Sequence, residues 1–549
     1  MRLIFLVAAL SAATAAATTG VHAQSVPGSP TGLLIDQGRA QAADSVAPQA
    51  PATGPHDPDY ATSIASGVAN TAPIRSVRFD NGEAPSSVAE AARPYLGQPA
   101  SQATLQAIAD ALSKAYARSS VALYSVAIPA QSLSDGVLHV RFAEGYIEQI
   151  QIIGDVKGGA VALVKRYAQA LSAERPLSRR SLERYLSLIR DIPGLTVEAS
   201  LLRGQNAGAV RLVLKLKQKR HDFAVSFDNR SQEQLSSGEF QAVAKAFGTL
   251  RAGDETDVTL AAATDFRAFR YANIAHSTPI GGDGLRATLS VAHLETRARP
   301  SDIEGEANIV SLGLSEPLIR SYKRNLTLSA STDLVNSDNA VLGSLLARER
   351  TRAARAAAVF SDAGDRHLLS ASLIASRGLD LLGADTRLTL ADPRFTKVDA
   401  TASLSRTLGK RFVARINASG QWTDDALPAV ERFLVGGEPF GRAFPVATLA
   451  ADRGVAGSVE LAWRPAILKA LSGSELYLFT DRADARYVAR GPLPGASYQL
   501  ASAGIGTRIL FRDKDELDLE GARRIDRPYP GFPADWQFNV AWRASFGRK

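Results

Sequence analysis

From His221 to the end of the chain, apolar or small residues alternate with polar ones in run after run. Phe223, Val225 and Phe227 alternate with Ser226 and Asp228, and Leu326, Leu328 and Ala330 with Thr327, Ser329 and Ser331. The rhythm continues in Val398, Ala400, Ala402 and Leu404, and again in Phe412, Ala414, Ile416 and Ala418. A period of two with one apolar face predicts β-strands. Turn residues punctuate the runs, as at Gly281-Gly282-Asp283-Gly284 and Asp362-Ala363-Gly364-Asp365, and helix-period segments are nearly absent. Alternation fits either a soluble two-sheet protein, with its apolar faces inside, or a membrane barrel, with them turned to lipid. About 330 residues at roughly 20 per strand and connection make about 16 strands, an even number in the range of outer-membrane barrels. The last run places Phe538, Val540, Trp542 and Phe546 on one face, with aromatics at both ends as suits two membrane interfaces. The expected fold of 221–549 is therefore a transmembrane all-β barrel of about 16 antiparallel strands.

Upstream the pattern changes twice. Ile74–Phe79 alternates like a strand, and Leu105, Ile108, Ala109 and Leu112 recur on one helix face. Strands are expected over Val121–Ile128 and Val137–Phe142, which closes a small α+β module over 71–145. A second module over 146–220 repeats the order: strand Ile147–Ile153, a helix near Ala160–Leu171, and a helix with Leu182, Tyr185, Leu186 and Ile189 on one face. Strands Leu195–Leu202 and Val210–Leu216 complete it. Two such units in tandem present sheet edges to which a partner's strand can add.

Composition sets the compartment. Met1 and Arg2, an apolar run from Leu3 to Ala17 and a small-residue site at Val21-His22-Ala23 predict a signal peptide over 1–23. Residues 24–70 are rich in Ala, Pro, Ser and Gly and read as a linker, interrupted by a short helix over 31–42 around Leu33-Leu34-Ile35. The chain has no cysteine, which excludes disulfides, thiolate metal ligands and a cysteine nucleophile. Sixty-three basic against 55 acidic residues give a net charge of +8 without a long basic run, so no nucleic-acid partner is expected. The basic end of the second module, Lys215, Lys217, Lys219 and Arg220, reads as a solvated face. Seven scattered histidines lack metal spacing, no Gly-x-Ser-x-Gly elbow occurs, and no phosphate-binding Gly-rich loop with its lysine is present. No enzyme activity, cofactor or metal is expected.

One stretch departs from the strand rhythm. Residues 431–460 carry Gly436, Gly437, Gly441, Gly454 and Gly457, with Arg442 between Phe440 and Phe444. Glycines allow close backbone approach, so this reads either as a folded, in-turned loop or as a surface hairpin with a solvated arginine.

Taken together, the chain resembles the outer-membrane transporters of two-partner secretion (TpsB, the ShlB/FhaC/HecB haemolysin secretion and activation family) from Ile74 to Phe546. Tyr124-Ser125-Val126-Ala127-Ile128-Pro129-Ala130-Gln131 and Gly136 through Gly145 look like that family's polypeptide-transport-associated (POTRA) domain. Asp191-Ile192-Pro193-Gly194-Leu195 looks like its Pro-Gly turn, and Asp228-Asn229 and Ser277-Thr278-Pro279 also fit. The resemblance implies two POTRA domains, POTRA 1 over 71–145 and POTRA 2 over 146–220, in the periplasm before an outer-membrane barrel. It also implies a loop that folds back into the pore, its Val-Arg-Gly-Tyr/Phe tip replaced here by Gly441-Arg442-Ala443-Phe444. Family arginines at this place face the aspartate of a Phe-x-Asp motif, supplied here by Phe479 and Asp481, which strand parity puts opposite Leu476 and Leu478. Gly441, Arg442, Phe444, Phe479 and Asp481 are thus expected to lock a gating loop. The implied function is export of an unfolded TpsA-type exoprotein, adhesin- or haemolysin-like, by a monomer in outer-membrane lipid, with residues 31–42 either the plug of the resting pore or a plain tether. The alternative is a barrel-assembly insertase of the same superfamily.

Overall fold

The computed structural model describes residues 63–65 and 72–546, apart from 81, 155, 157, 158, 232–234, 236, 299–302, 342–343, 466–472 and 512–514. The signal peptide and the 31–42 helix lie outside the described residues. Two compact units form, one holding the small modules and one the strand-rich remainder.

The first module contains β1 (Ser63–Ile64), β2 (Ser76–Phe79), α1 (Ser86–Ala91), α2 (Gln102–Arg118), β3 (Tyr124–Ile128) and β4 (Val137–Glu144). Ser101 caps α2 by accepting from Thr104 N–H at 3.2 Å. The predicted face of Leu105, Ile108, Ala109 and Leu112 is fully buried against Val126, Ile128, Leu138 and Val140 of the sheet. The sheet runs β1-β3-β4-β2, with β1 parallel to β3. β1 departs from the linker expectation for 24–70. Main-chain bonding, such as Ala65 N–H to Ile128 O at 2.9 Å, recruits it despite a composition with little to bury.

The second module repeats the order with β5 (Tyr146–Ile153), α3 (Gly159–Ser172), α4 (Arg179–Arg190), β6 (Leu195–Arg203) and β7 (Ala209–Gln218) in a β5-β7-β6 sheet. Leu163, Val164 and Tyr167 of α3 and Leu182, Leu186 and Ile189 of α4 form its buried helical face.

Sixteen strands among the described residues close the barrel. They are β8 (His221–Asp228), β9 (Glu239–Phe247), β10 (Glu255–Ala263), β11 (Phe269–Pro279), β12 (Arg286–Ala298), β13 (Ile303–Arg320), β14 (Arg324–Val341), β15 (Ser344–Ala363), β16 (His367–Gly378), β17 (Thr396–Leu408) and β18 (Phe412–Trp422). After a long connection holding the two short strands β19 (Phe433–Val435) and β20 (Leu449–Ala451) come β21 (Arg453–Trp463), β22 (Glu475–Tyr487), β23 (Ala496–Phe511), β24 (Asp515–Asp526) and β25 (Trp536–Ser545). β25 pairs antiparallel with β8, from Ala541 opposite Asp228 to Ser545 opposite Ala224, and shuts the sheet on itself.

The strand faces resolve the ambiguity between sandwich and barrel. Leu289, Val291, Leu312, Leu461, Leu478, Ile505, Phe538 and Trp542 lie exposed on the outer face, whereas Asp333, Glu349, Arg355, Lys397, Glu460, Asp518 and Glu520 are buried inside. Such an inversion suits a hydrocarbon solvent, which must meet apolar side chains while a closed ladder satisfies every backbone group.

Candidate functional site

The connection from β18 to β21 turns into the barrel interior. The sequence placed this loop at 431–460, but β21 already begins at Arg453, where Val455, Val459 and Leu461 face outward and Ala456, Ser458 and Glu460 inward. β19 and β20 pair as a short stalk, Phe433 opposite Ala451 and Val435 opposite Leu449. The tip is folded on itself, with Gly437 N–H donating to Gly441 O at 2.9 Å and Phe444 N–H to Gly441 O at 2.8 Å. Gly441 has φ of +102°, and a Cβ there would lie 3.0 Å from both Gly436 Cα and Leu500 Cδ1. A side chain at this position is strained by the backbone conformation and crowded by its neighbours.

All five predicted residues meet inside the barrel, but their pairing differs from the expectation that the Arg442 guanidinium faces Asp481. Asp481 holds the tip's backbone instead, accepting from Gly441 N–H at 2.9 Å and Arg442 N–H at 3.3 Å while also accepting from the Ser502 hydroxyl. The guanidinium passes beyond it, and Nη1 lies 3.0 Å from Glu460 Oε2 and 3.0 Å from Glu520 Oε2. The reason is reach: with its backbone already on Asp481, a long arginine side chain extends past that carboxylate to the next inward-facing ones. Phe479 packs under the guanidinium, 4.3 Å from ring centroid to Cζ, a cation–π contact. Tyr477, Phe479 and Asp481 are all buried and Leu476 and Leu478 exposed, as strand parity requires.

The wall carboxylates are not dependent on Arg442. Glu460 is also held by Arg508 at 2.6 and 2.9 Å and by Arg415 at 2.7 Å. Glu520 accepts from the Asn539 amide at 2.9 Å and the Tyr477 hydroxyl at 3.1 Å. Further bonds fix the tip's carbonyls, Asn539 Nδ2 to Arg442 O at 3.0 Å and Arg524 Nε to Ala443 O at 2.8 Å. Phe444 is buried against Phe532, with ring centroids 5.6 Å apart. The tip therefore touches inward-facing groups of five consecutive strands, β21 to β25.

Sequence reasoning missed Glu460, Ser502, Arg508, Glu520 and Asn539. A signal existed for the carboxylates, since each sits at an inward parity position in an otherwise alternating strand. Gly504 and Gly506 were missed too. They pair with Phe479 and Tyr477, and a Cβ on either would come within 2.7 or 2.3 Å of those rings. The two glycines let both rings lie across β23 and hold Phe479 flat beneath Arg442.

Comparisons with known proteins agree with this fold. Residues 72–145 match the ShlB-type POTRA domain. The outer membrane transporter CdiB of Escherichia coli strain 536 is 24% identical over 479 residues, covering 82% of this chain and 78% of CdiB. The heme/hemopexin transporter protein HuxB of Haemophilus influenzae strain Rd is 21% identical over 381 residues, 66% of each chain. The solved structure of CdiB from Escherichia coli superposes with a TM-score of 0.71 at 19% identity, covering 93% of this chain and 96% of that one, and so shares the fold. Since residues 208–509 match the haemolysin secretion/activation protein family ShlB/FhaC/HecB, more than half of the chain, the protein belongs to that family of outer-membrane transporters.

Proposed function

We propose that this chain exports an unfolded partner exoprotein of the adhesin or haemolysin type, without catalysis, and that the loop tipped by Arg442 is the gate of its pore. The observation that carries the reading is the seating of Gly441, Arg442 and Phe444 on inward-facing groups of β21 to β25, where the loop occupies the path a passenger would take. The lock is built to open. When Arg442 leaves, Glu460 keeps both of its other arginines and Glu520 keeps Asn539 and Tyr477, so neither carboxylate that the guanidinium touches is stranded, and Asp481, which gives up two backbone N–H groups, keeps the Ser502 hydroxyl. Stranding one would cost about 3–5 kcal/mol. The two modules before the barrel capture the passenger by strand addition at a sheet edge, where main-chain hydrogen bonds supply affinity without demanding one sequence. The passenger's folding outside the cell supplies the driving force.

The test is secretion. The chain is co-expressed with a candidate large exoprotein, and the medium and cell surface are assayed. Export that depends on this chain, and falls when either Arg442 or Asp481 is replaced by alanine although the barrel folds, supports the reading. Normal export by both variants refutes the gate.

A further inference from the structure

The loop is attached to the barrel a second time, at its base rather than its tip. Ala429–Glu431 form one 3-10 turn just before the β19–β20 stalk, and all three residues are buried. Ala429 N–H donates to both carboxylate oxygens of Glu349 on β15, at 3.0 and 3.3 Å. Val430 enters an apolar cluster on the inner wall with Tyr271, Leu294, Ile309 and Val335. The Glu431 carboxylate, 1% exposed, is gripped by both terminal nitrogens of Arg355, at 2.6 and 3.1 Å, and by Lys397 Nζ at 3.3 Å. Its carbonyl accepts from Lys397 at 2.9 Å and Gln421 at 3.0 Å. Arg355 is itself oriented by Asp333 at 2.6 Å and Ser376 at 2.8 Å.

The two attachments differ in place. At the tip, every wall carboxylate that Arg442 touches retains other cationic or hydrogen-bonding partners, and at the base Arg355 likewise retains Asp333 and Ser376. Glu431 is a buried anion held in a bidentate fork, preceded by a bonded N–H and an apolar anchor, so the base is a fixed point of the loop. It also lies just after Trp422, where β18 ends and the loop leaves the wall, whereas the tip lies at the loop's far end.

We infer that the gate opens by swinging on Ala429–Glu431, which stay bound to β15 and β17 while the tip around Arg442 leaves. Glu431, Arg355, Lys397 and Glu349 then act as positioning residues that return the tip to its seat. This rests on the gating role proposed above and adds to it which part moves.

The absence of cysteine gives a clean background for testing both ends. A tip tie joins Ala443→Cys to Ser502→Cys, whose backbone nitrogen and side-chain oxygen lie 3.4 Å apart. A base tie joins Val430→Cys to Val335→Cys, both members of the apolar cluster, through a short reducible bis-methanethiosulfonate crosslinker. Each is compared with its own reduced form, and folding is checked by the heat-modifiable gel mobility of the barrel. The expected result is loss of export with the tip tied, restored by reductant, and export at the reduced-form rate with the base tied. Loss of export with the base tied as well overturns the hinge but leaves the gate standing. Unimpaired export with the tip tied refutes the gate, and the hinge with it.

Discussion

Replacing Arg442 by alanine removes the one side chain that links the loop tip to both Glu460 and Glu520. The structure lets the loss be sized. Two charge-assisted hydrogen bonds at 3.0 Å disappear, together with a cation–π contact at 4.3 Å. Bonds to charged groups contribute about 1.5–3 kcal/mol each and a desolvated cation–π contact about 2 kcal/mol. Against this, Arg508 and Arg415 already compensate Glu460, and Asn539 and Tyr477 already bond Glu520, so the net loss from the closed state is about 3 kcal/mol. Every 1.4 kcal/mol is a factor of ten, so the closed-to-open ratio falls on the order of a hundredfold. A pore that rests closed about 99% of the time would then be open about half the time. Single-channel conductance in planar bilayers reads this directly. Arg442→Lys, which keeps a charge but loses the planar fork, is expected between the two. A closed, flickering trace from Arg442→Ala identical to that of the natural chain would refute the reasoning.

Three further outcomes follow from the same geometry. Asp481→Asn turns an amide NH₂ toward one of the N–H groups of Gly441 or Arg442, at a cost of about 1–3 kcal/mol; the expected result is a folded but leaky barrel with poor secretion, scored by gel mobility and assay of the medium. Gly506→Ala drives a Cβ to 2.3 Å from the Tyr477 ring and costs about 1–3 kcal/mol, whereas at Gly457 the nearest atom is Asn417 O at 3.6 Å, so Gly457→Ala is tolerated; the temperature at which the folded gel band disappears should drop for the first alone. Leu478→Arg puts a charge on the lipid face, and if near the bilayer midplane it costs about 2–4 kcal/mol, lowering the yield of folded barrel in the membrane, while Leu478→Ile leaves it unchanged.

Much of this architecture is legible from periodicity. The strand alternation after His221 and the helix face of Leu105, Ile108, Ala109 and Leu112 are local patterns, and local patterns determine which side of an element is apolar. What such a pattern does not carry is which solvent the apolar side meets, and here the strand count and terminal aromatics supplied the missing argument. β1 was not foreseen because Ser63–Ile64 is recruited by a neighbour's open edge, and two residues hold too little pattern to announce it. At the candidate site the loop tip and its Phe479–Asp481 strand were legible, and the carboxylates that hold the Arg442 guanidinium were not. Parity put Phe479 and Asp481 inside, but choosing among Asp481, Glu460 and Glu520 as the partner of Arg442 requires knowing how far the loop backbone descends. Only long-range contacts fix that depth. The base anchor was invisible for the same reason: Glu431 meets Arg355 across 76 residues of chain, and neither stands out within its own segment.

The most direct measurement is the exposure of the loop tip while export is under way. Ala443 is completely buried at rest, and a cysteine placed there would be the chain's single thiol. Intact cells carrying Ala443→Cys are treated with a membrane-impermeant maleimide, with and without the exported partner. The gate predicts protection in its absence and labelling during secretion, whereas equal protection in both, with export proceeding normally, would contradict it.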